Sequence, residues 1–433
     1  MEKLQVITLG CSKNTVDTEH LLAQIRGRYE IVPEGENVPV DYLLINTCGF
    51  IGDAKQESID TIFSAVQRKE SGEAGKLLVF GCLSQRYADQ MPELIPEVDG
   101  WFGARDLAPL VKALGVTYDP EKSHLRGGAR LPYAYLKISE GCDRRCSYCA
   151  IPLIRGRHKS VPMEVLEKEA RALAEDGVKE LIIIAQDSTF YGLDLYGRRA
   201  LAELLRRLSA INGILRIRIH YSYPADFPED VLEEMASNPK VCRYMDIPLQ
   251  HVSDKVLDAM HRHVDGAWTR ALIKKMREKV PGIVLRTTMI VGHPGEGTRE
   301  FKELLGFVED ARFERLGAFT YSEEEGTWGA THLKDSVRQS TKEKRLSALM
   351  ELQRGISFAY NQSRVGSVTD VLVDSVQDDI LVCRSEFESP EVDGEILVRW
   401  PEDPQKQIGR MIRVRITGAD AYDLIAEPVV ESI

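Results

Sequence analysis

The chain has 433 residues, of which 43% are hydrophobic and 28% charged, and its net charge is −11. That is the composition of a globular protein of two or three domains. No apolar run approaches the 18 residues of a membrane span, and the acidic balance argues against broad non-specific binding to nucleic acid, DNA included.

The start, Met1-Glu2-Lys3-Leu4-Gln5, has no basic segment followed by an apolar core, so a cytoplasmic location without a membrane partner is expected. Eight cysteines in such a chain point to a metal or to catalysis rather than to disulfides.

In the first 120 residues, three short apolar runs at residues 4–9, 42–45 and 77–80 alternate with helical patterns at residues 17–28 and 55–68. Runs rich in Val, Ile and Leu separated by helices predict a doubly wound α/β domain on a parallel sheet. A cysteine follows each run almost at once, as Gly10-Cys11, Thr47-Cys48 and Gly81-Cys82. Strand carboxyl ends share one sheet edge, so the three cysteines are expected to converge and form a cluster site. Gly10, Gly49 and Gly81 beside them allow close backbone approach. The plain alternative is three buried core cysteines.

A linker containing Arg126-Gly127-Gly128 leads into further alternation. Strands are expected at residues 133–138, 181–185, 215–219, 244–247, 284–290 and 316–320, with helices at residues 162–175, 199–211, 229–237, 265–279 and 298–310. Six such units predict a partial TIM-like barrel.

After the first strand comes Glu140-Gly141-Cys142-Asp143-Arg144-Arg145-Cys146-Ser147-Tyr148-Cys149. Three thiolates at C-x₃-C-x₂-C spacing in one loop suit an iron–sulfur cluster or zinc. Zinc would need a fourth ligand, and His158 is the one candidate in the following stretch. Barrel chemistry gathers at strand carboxyl ends, here Gln186-Asp187-Ser188, His220-Tyr221-Ser222, Gln250-His251, Gly292-His293-Pro294-Gly295 and Tyr321-Ser322-Glu323-Glu324. His261 and His263 read as a solvated face, and Cys242 and Cys383 as small core residues.

From residue 363 the pattern becomes five short β runs, at residues 368–373, 380–383, 396–400, 411–416 and 424–426, which predict a small antiparallel barrel. In residues 366–433 fifteen acids outnumber six bases. Phosphate binding relies on Lys and Arg, so this module should repel RNA and attract a basic protein.

These motifs resemble those of the radical S-adenosylmethionine (SAM) methylthiotransferase family. The carriers are the C-x₃-C-x₂-C loop with an aromatic residue before its last Cys, Leu9-Gly10-Cys11-Ser12-Lys13-Asn14, Asn46-Thr47-Cys48-Gly49 and Gly81-Cys82-Leu83, and the terminal module is similar to a TRAM domain. The resemblance implies an amino-terminal cluster domain at residues 1–120, a radical SAM core, a partial (βα)6 barrel, at residues 127–362 and a TRAM barrel at residues 363–433. It implies two [4Fe–4S] clusters, one on Cys11, Cys48 and Cys82, the other on Cys142, Cys146 and Cys149, where SAM would bind. No catalytic side chain beyond the cluster ligands is implied. Tyr148, Gln186, Gln250 and Gly292 are candidate SAM contacts.

Lys137-Ile138-Ser139-Glu140-Gly141-Cys142, Tyr321-Ser322-Glu323-Glu324-Glu325-Gly326-Thr327 and the absence of Gln-Met-Asn after Cys11 resemble the RimO type. That type implies methylthiolation of the β-carbon of an aspartate in ribosomal protein S-twelve, with SAM as methyl donor and radical source. The expected partners are that basic protein, free or on the small ribosomal subunit, and an electron donor, for an enzyme acting as a monomer. One alternative is 2-methylthiolation of an adenosine in transfer RNA, the MiaB type. Another is a non-enzymatic iron–sulfur electron carrier. His293 departs from the Phe or Tyr more usual in the family at that place.

Overall fold

A computed structural model of the chain describes residues 1–120, 122, 126, 131–400 and 402–429. Gly127 and Gly128 of the expected linker lie outside the described residues. The chain forms two compact units: residues 1–130 with 139–172 and 324–327, and residues 131–138 with 173–323 and 328–433.

The first unit is built on a five-stranded sheet. Its strands are β1 (Glu2–Thr8), β2 (Tyr29–Val32), β3 (Val40–Thr47), β4 (Ala74–Gly81) and β5 (Gly100–Trp101), in the order β2-β1-β3-β4-β5. Every pair is parallel. Leu21, Leu22 and Ile25 of the helix Ser12–Ile25 recur at helical spacing and pack on one face with Leu110 and Val111. Ile62, Ala65 and Val66 of the helix Gly52–Glu70 recur in the same way and pack on the other. Apolar cores on both faces make the sheet doubly wound, and the strand order reverses between β1 and β3. Strand β2 was not expected: its four residues show no distinct run apart from Ile31-Val32.

The second unit holds a six-stranded parallel sheet that begins with β6 (Tyr133–Lys137). The chain then returns to the first unit for a two-stranded hairpin, β7 (Ser139–Glu140) and β8 (Lys159–Ser160). The large sheet continues with β9 (Glu180–Ile184), β10 (Arg216–Ile219), β11 (Val241–Asp246), β12 (Val284–Val291) and β13 (Arg315–Thr320). Neighbours follow sequence order and the sheet stays open, so it is a partial barrel. The five expected helices appear within a few residues of their anticipated bounds. The 26-residue helix Gln339–Arg364 was not anticipated. It is polar along most of its length, and few of its side chains are buried, so no apolar stripe announces it.

Strands β14 (Val368–Gln377), β15 (Ile380–Arg384), β16 (Ile396–Arg399), β17 (Met411–Ala419) and β18 (Leu424–Pro428) close the carboxy-terminal barrel. Its pairings are antiparallel except β16 with β18, which run parallel. This barrel is fastened to the six-stranded sheet through charged and polar groups. Arg216 and Arg218 share one face of β10 by strand periodicity and donate to the carbonyls of Arg384 (2.9 Å) and Glu386 (2.9 Å). His220 Nε2 lies 2.8 Å from Ser389 Oγ, and Tyr244 Oη donates to Asp393 at 2.6 Å. No helix among the described residues is long and apolar enough to cross a membrane.

Candidate metal centre

The first cysteine triplet stands where the sheet edge predicts. Cys11 follows β1, Cys48 follows β3 and Cys82 follows β4, so Cys11 and Cys48 flank the point where the strand order reverses. Cys11 is exposed, Cys48 and Cys82 are buried, and none is in a disulfide. Burial pushes the Cys82 thiol up to about 12 and the Cys48 thiol upward as well, and the proximity of Cys11 adds to both shifts. Left alone, thiols in this setting hold their protons; as thiolates they require a compensating positive centre.

The backbone around them is drawn tight. Gly10 has φ +91°, and a Cβ there would lie 2.7 Å from Cys48 Cβ and 3.0 Å from Cys48 Sγ. Asn14 Nδ2 donates to the carbonyls of Leu9 (2.7 Å) and Thr47 (3.1 Å), fixing the exits of two strands. Ser58 Oγ accepts from the Cys48 N–H and donates to the Cys48 carbonyl.

The second triplet lies in the same compact unit, in the loop between β7 and β8. The Cys142 N–H donates to the Gly156 carbonyl at 3.0 Å, the Cys149 N–H to the Cys146 carbonyl at 3.1 Å, and the Arg144 N–H reaches Cys142 Sγ at 3.4 Å. Gly141 has φ +71°, and a Cβ there would lie 2.1 Å from the Arg157 carbonyl oxygen, so only glycine fits.

The donor set fits cubane clusters better than a single ion. Six cysteine sulfurs, soft potential donors, come in two groups of three. Ser12, Ser84 and Ser147 each stand next to or two residues from a triplet cysteine. Their hydroxyl oxygens are buried without a hydrogen-bond partner among the described residues, available to ligand or cluster sulfur. No three His, Cys, Asp or Glu side chains among the described residues converge closely enough to hold one metal ion. Cysteines on different irons of a cubane lie farther apart than ligands of one ion. His158, the candidate fourth zinc ligand, has its Nε2 engaged with Ser160 Oγ at 3.1 Å.

Two residues have structural consequences that the sequence did not disclose: Glu324, named there only as part of a strand-end stretch and a family motif, and Arg155, not singled out at all. Glu324 is 2% exposed and accepts from Lys55 (2.8 Å) and Arg86 (2.9 Å), while Arg86 also donates to the carbonyl of Gly49, beside Cys48. It sits inside Glu323-Glu324-Glu325, a charge run that resembles a solvated turn. Arg155 ends the short helix Ile151–Arg155 after the second triplet and is 3% exposed. A lone arginine after an apolar run gives no sign of its partners.

In the other unit, the strand ends carry strained backbone: Tyr221 has φ +61° and Gln250 φ +73°. The Gln250 amide oxygen is buried without a partner among the described residues. Gly292 donates its N–H to Glu296 (2.8 Å), itself held by Arg345 (2.8 Å). Gln186 is half-buried at the end of β9, and Tyr148 half-buried in the cysteine loop of the first unit. His220 turns to Ser389 rather than to the strand-end rim. His261 packs on the Trp328 ring at 4.2 Å and His263 is exposed. Cys242 and Cys383 are buried core residues.

Comparison with known proteins identifies the family. Residues 136–308 match the radical SAM superfamily, residues 365–429 the TRAM domain and residues 3–103 the uncharacterized protein family UPF0004. Among solved structures, the fold is similar to that of the radical S-adenosylmethionine methyltransferase TsrM from Kitasatospora setae (TM-score 0.56, 12% identity, covering 74% of this chain and 75% of that one). It is also similar to the cobalamin-dependent S-adenosylmethionine radical enzyme OxsB (TM-score 0.51, 14% identity, covering 82% and 56%). Ribosomal protein uS12 methylthiotransferases RimO from Porphyromonas gingivalis and Bacteroides fragilis are each 48% identical to this chain, over 99% of both chains and 98% of both chains respectively. The chain therefore belongs to the RimO family of radical SAM methylthiotransferases.

Proposed function

We infer that the chain adds a methylthio group to the β-carbon of an aspartate in ribosomal protein uS12. The observation that carries this reading is the presence of both cysteine triplets in one compact unit, three strand-end cysteines and a hairpin loop, in a chain 48% identical end to end to RimO enzymes. In this reading Cys142, Cys146 and Cys149 hold the cluster that binds SAM, and Cys11, Cys48 and Cys82 hold a second. When bound, the clusters and SAM supply a carbon-centred radical, a sulfur atom and a methyl group.

The chain's own residues hold the cysteine-bearing segments in place. Asn14 and Ser58 pin the strand exits that carry Cys11 and Cys48. The Gly156 carbonyl and the Arg144 N–H shape the second loop. Functionally, residues 1–120 form the cluster domain, 127–362 the radical SAM core and 363–433 the substrate-binding barrel.

Charge supports a protein substrate. Of the fifteen acids in residues 366–433, Asp374, Glu388 and the side chain of Asp393 are the buried ones among the described residues, and Arg384 is buried with them. The outer surface therefore keeps its acidic excess and suits a basic ribosomal protein. The enzyme is proposed to act in the cytoplasm as a monomer, with a separate electron donor, on uS12 free or in the small subunit.

The test is a parallel assay under anaerobic, reducing conditions, offering uS12 and unmodified transfer RNA to the reconstituted enzyme. A methylthio mass increment on one uS12 peptide is expected. Modified transfer RNA with unmodified uS12 would overturn the substrate, and absence of SAM cleavage would leave only an electron carrier.

A further inference from the structure

We propose that Arg155 is a positioning residue of the Cys11–Cys48–Cys82 centre: its guanidinium donates to the Cys82 sulfur and holds that centre's reduction potential up. This rests on the ligand assignment given under Proposed function.

The geometry is specific. Arg155 Nε lies 3.3 Å from Cys82 Sγ. Its Nη2 donates to Asn14 Oδ1 at 2.7 Å. Its Nη1 donates to Asp17 Oδ2 at 2.6 Å and faces Glu140 Oε2 at 3.3 Å. The side chain is 1% exposed, and Cys82, Ala104, Ala150 and Ile154 form an apolar cluster beside it. Burying a guanidinium carries a desolvation cost of several kcal/mol. One carboxylate would offset part of that cost; turning Nε toward sulfur is not needed for it.

The rigid fork of arginine reaches three places at once. It touches the Cys82 sulfur directly. It touches Asn14, whose other end holds the carbonyls of Leu9 and Thr47 ahead of Cys11 and Cys48. It touches Glu140, two residues before Cys142. One side chain, delivered by the helix that follows the second triplet, thus registers all three strand ends of the first.

Hydrogen bonds to ligand sulfur and a fixed buried cation both favour the more negative, reduced state of an iron–sulfur centre. A carboxylate does the reverse. Arg155 and Asp17 should therefore act on the potential with opposite signs, although both belong to one ion pair. A purely structural role would move them together.

The experiment uses the full-length chain carrying Cys142→Ala, Cys146→Ala and Cys149→Ala, loaded anaerobically so that only the first triplet holds a cluster. Iron content and an electron paramagnetic resonance redox titration are measured for this parent and with Arg155→Gln, Arg155→Lys and Asp17→Asn added. Arg155→Gln should lower the midpoint potential, Arg155→Lys should lower it less, and Asp17→Asn should raise it. A loaded Arg155→Gln chain with the parent's potential overturns the proposal, as does a shift of the same sign in Asp17→Asn. If Arg155→Gln fails to load, the lysine and Asp17 variants decide by the same signs. A parent that takes up no iron overturns the ligand assignment itself and this inference with it, a result distinct from a loaded cluster with an unmoved potential.

Discussion

Glu180 at the start of β9 and Arg384 at the end of β15 form an ion pair at 3.1 Å with neither side chain more than 2% exposed. Arg218 Nε adds a second contact to Glu180 at 2.8 Å, also fully buried, and Asp374 takes the other side of Arg384. The carboxy-terminal barrel is thus joined to the six-stranded sheet by charges that no solvent screens. Replacing Glu180 by Ala leaves Arg218 and Arg384 buried without their shared anion, and losing one partner of such a pair costs about 3–5 kcal/mol. Urea unfolding should show that loss, with Glu180→Gln less damaging because it keeps an acceptor. A loss under about 1 kcal/mol would mean that water reaches the network.

The same network sets an acid limit on stability. Burial pushes the Glu180 carboxyl up, but Arg218, Arg384 and Arg216 outweigh it and hold the group down at about 2. Burial pushes the Glu388 carboxyl up in the same way, and Arg364 and Arg315 hold it at about 2. Asp374 shifts the other way, pushed up by burial despite Arg384. A carboxyl whose folded pKa is depressed contributes stability that is complete above its unfolded value, about 4.5, and is lost as pH falls toward the folded value. The unfolded chain binds more protons across that window, so stability should fall steeply between about pH 4.5 and pH 2, with Asp374 offsetting part of the slope. Glu388→Gln should flatten the dependence in a series of urea midpoints against pH. An unchanged slope would count against the ion pairs.

His293, the departure from the family pattern, is fully buried, and burial lowers its pKa to about 4. It is therefore neutral at physiological pH and behaves as an aromatic ring, edge-on to Tyr321 at 4.9 Å. His293→Phe should keep SAM cleavage within about threefold of the parent, a difference under about 1 kcal/mol. The parent should lose stability as pH falls from about 6.5 to about 4, because the unfolded histidine takes up the proton first. The Phe variant should lack that component, and melting curves across the window would show it. A loss of cleavage of about tenfold would instead make His293 a specific contact.

Much of this was legible in the sequence. Short Val, Ile and Leu runs ending in cysteine revealed the parallel sheet and the edge on which those cysteines stand, because buried parallel strands are continuous and apolar. Strand β2 and the helix Gln339–Arg364 escaped because neither has the apolar period of a half-buried element. Arg155, and the buried ion-pairing role of Glu324 within its strand-end stretch, escaped for a different reason. Their partners lie 138 and 269 residues away in Asp17 and Lys55, and a charged residue's partners are decided by topology, which one sequence does not display.

Gly10 offers the cleanest separation of the two cysteine triplets. Its φ of +91° alone disfavours a side chain, and a Cβ would press to within 2.7 Å of Cys48 Cβ, with no flexible side-chain end to give way. Gly115 has a comparable φ of +72° but open space around it. The conformational cost of Ala is shared by the two positions, about 1 kcal/mol, so the difference between them isolates the crowding at the cysteines. Gly115→Ala should lose some stability and still take up about eight irons per chain, the content of two cubane clusters. Gly10→Ala should take up about four, continue to cleave SAM at the second triplet and fail to modify uS12. It should thus match the joint change of Cys11, Cys48 and Cys82 to Ala, while the joint change of Cys142, Cys146 and Cys149 abolishes SAM cleavage and keeps the other cluster's irons. A Gly10→Ala chain with full iron content and full methylthiolation would show that the backbone at Cys11 and Cys48 tolerates displacement, and that the tight approach seen here is not what shapes the site.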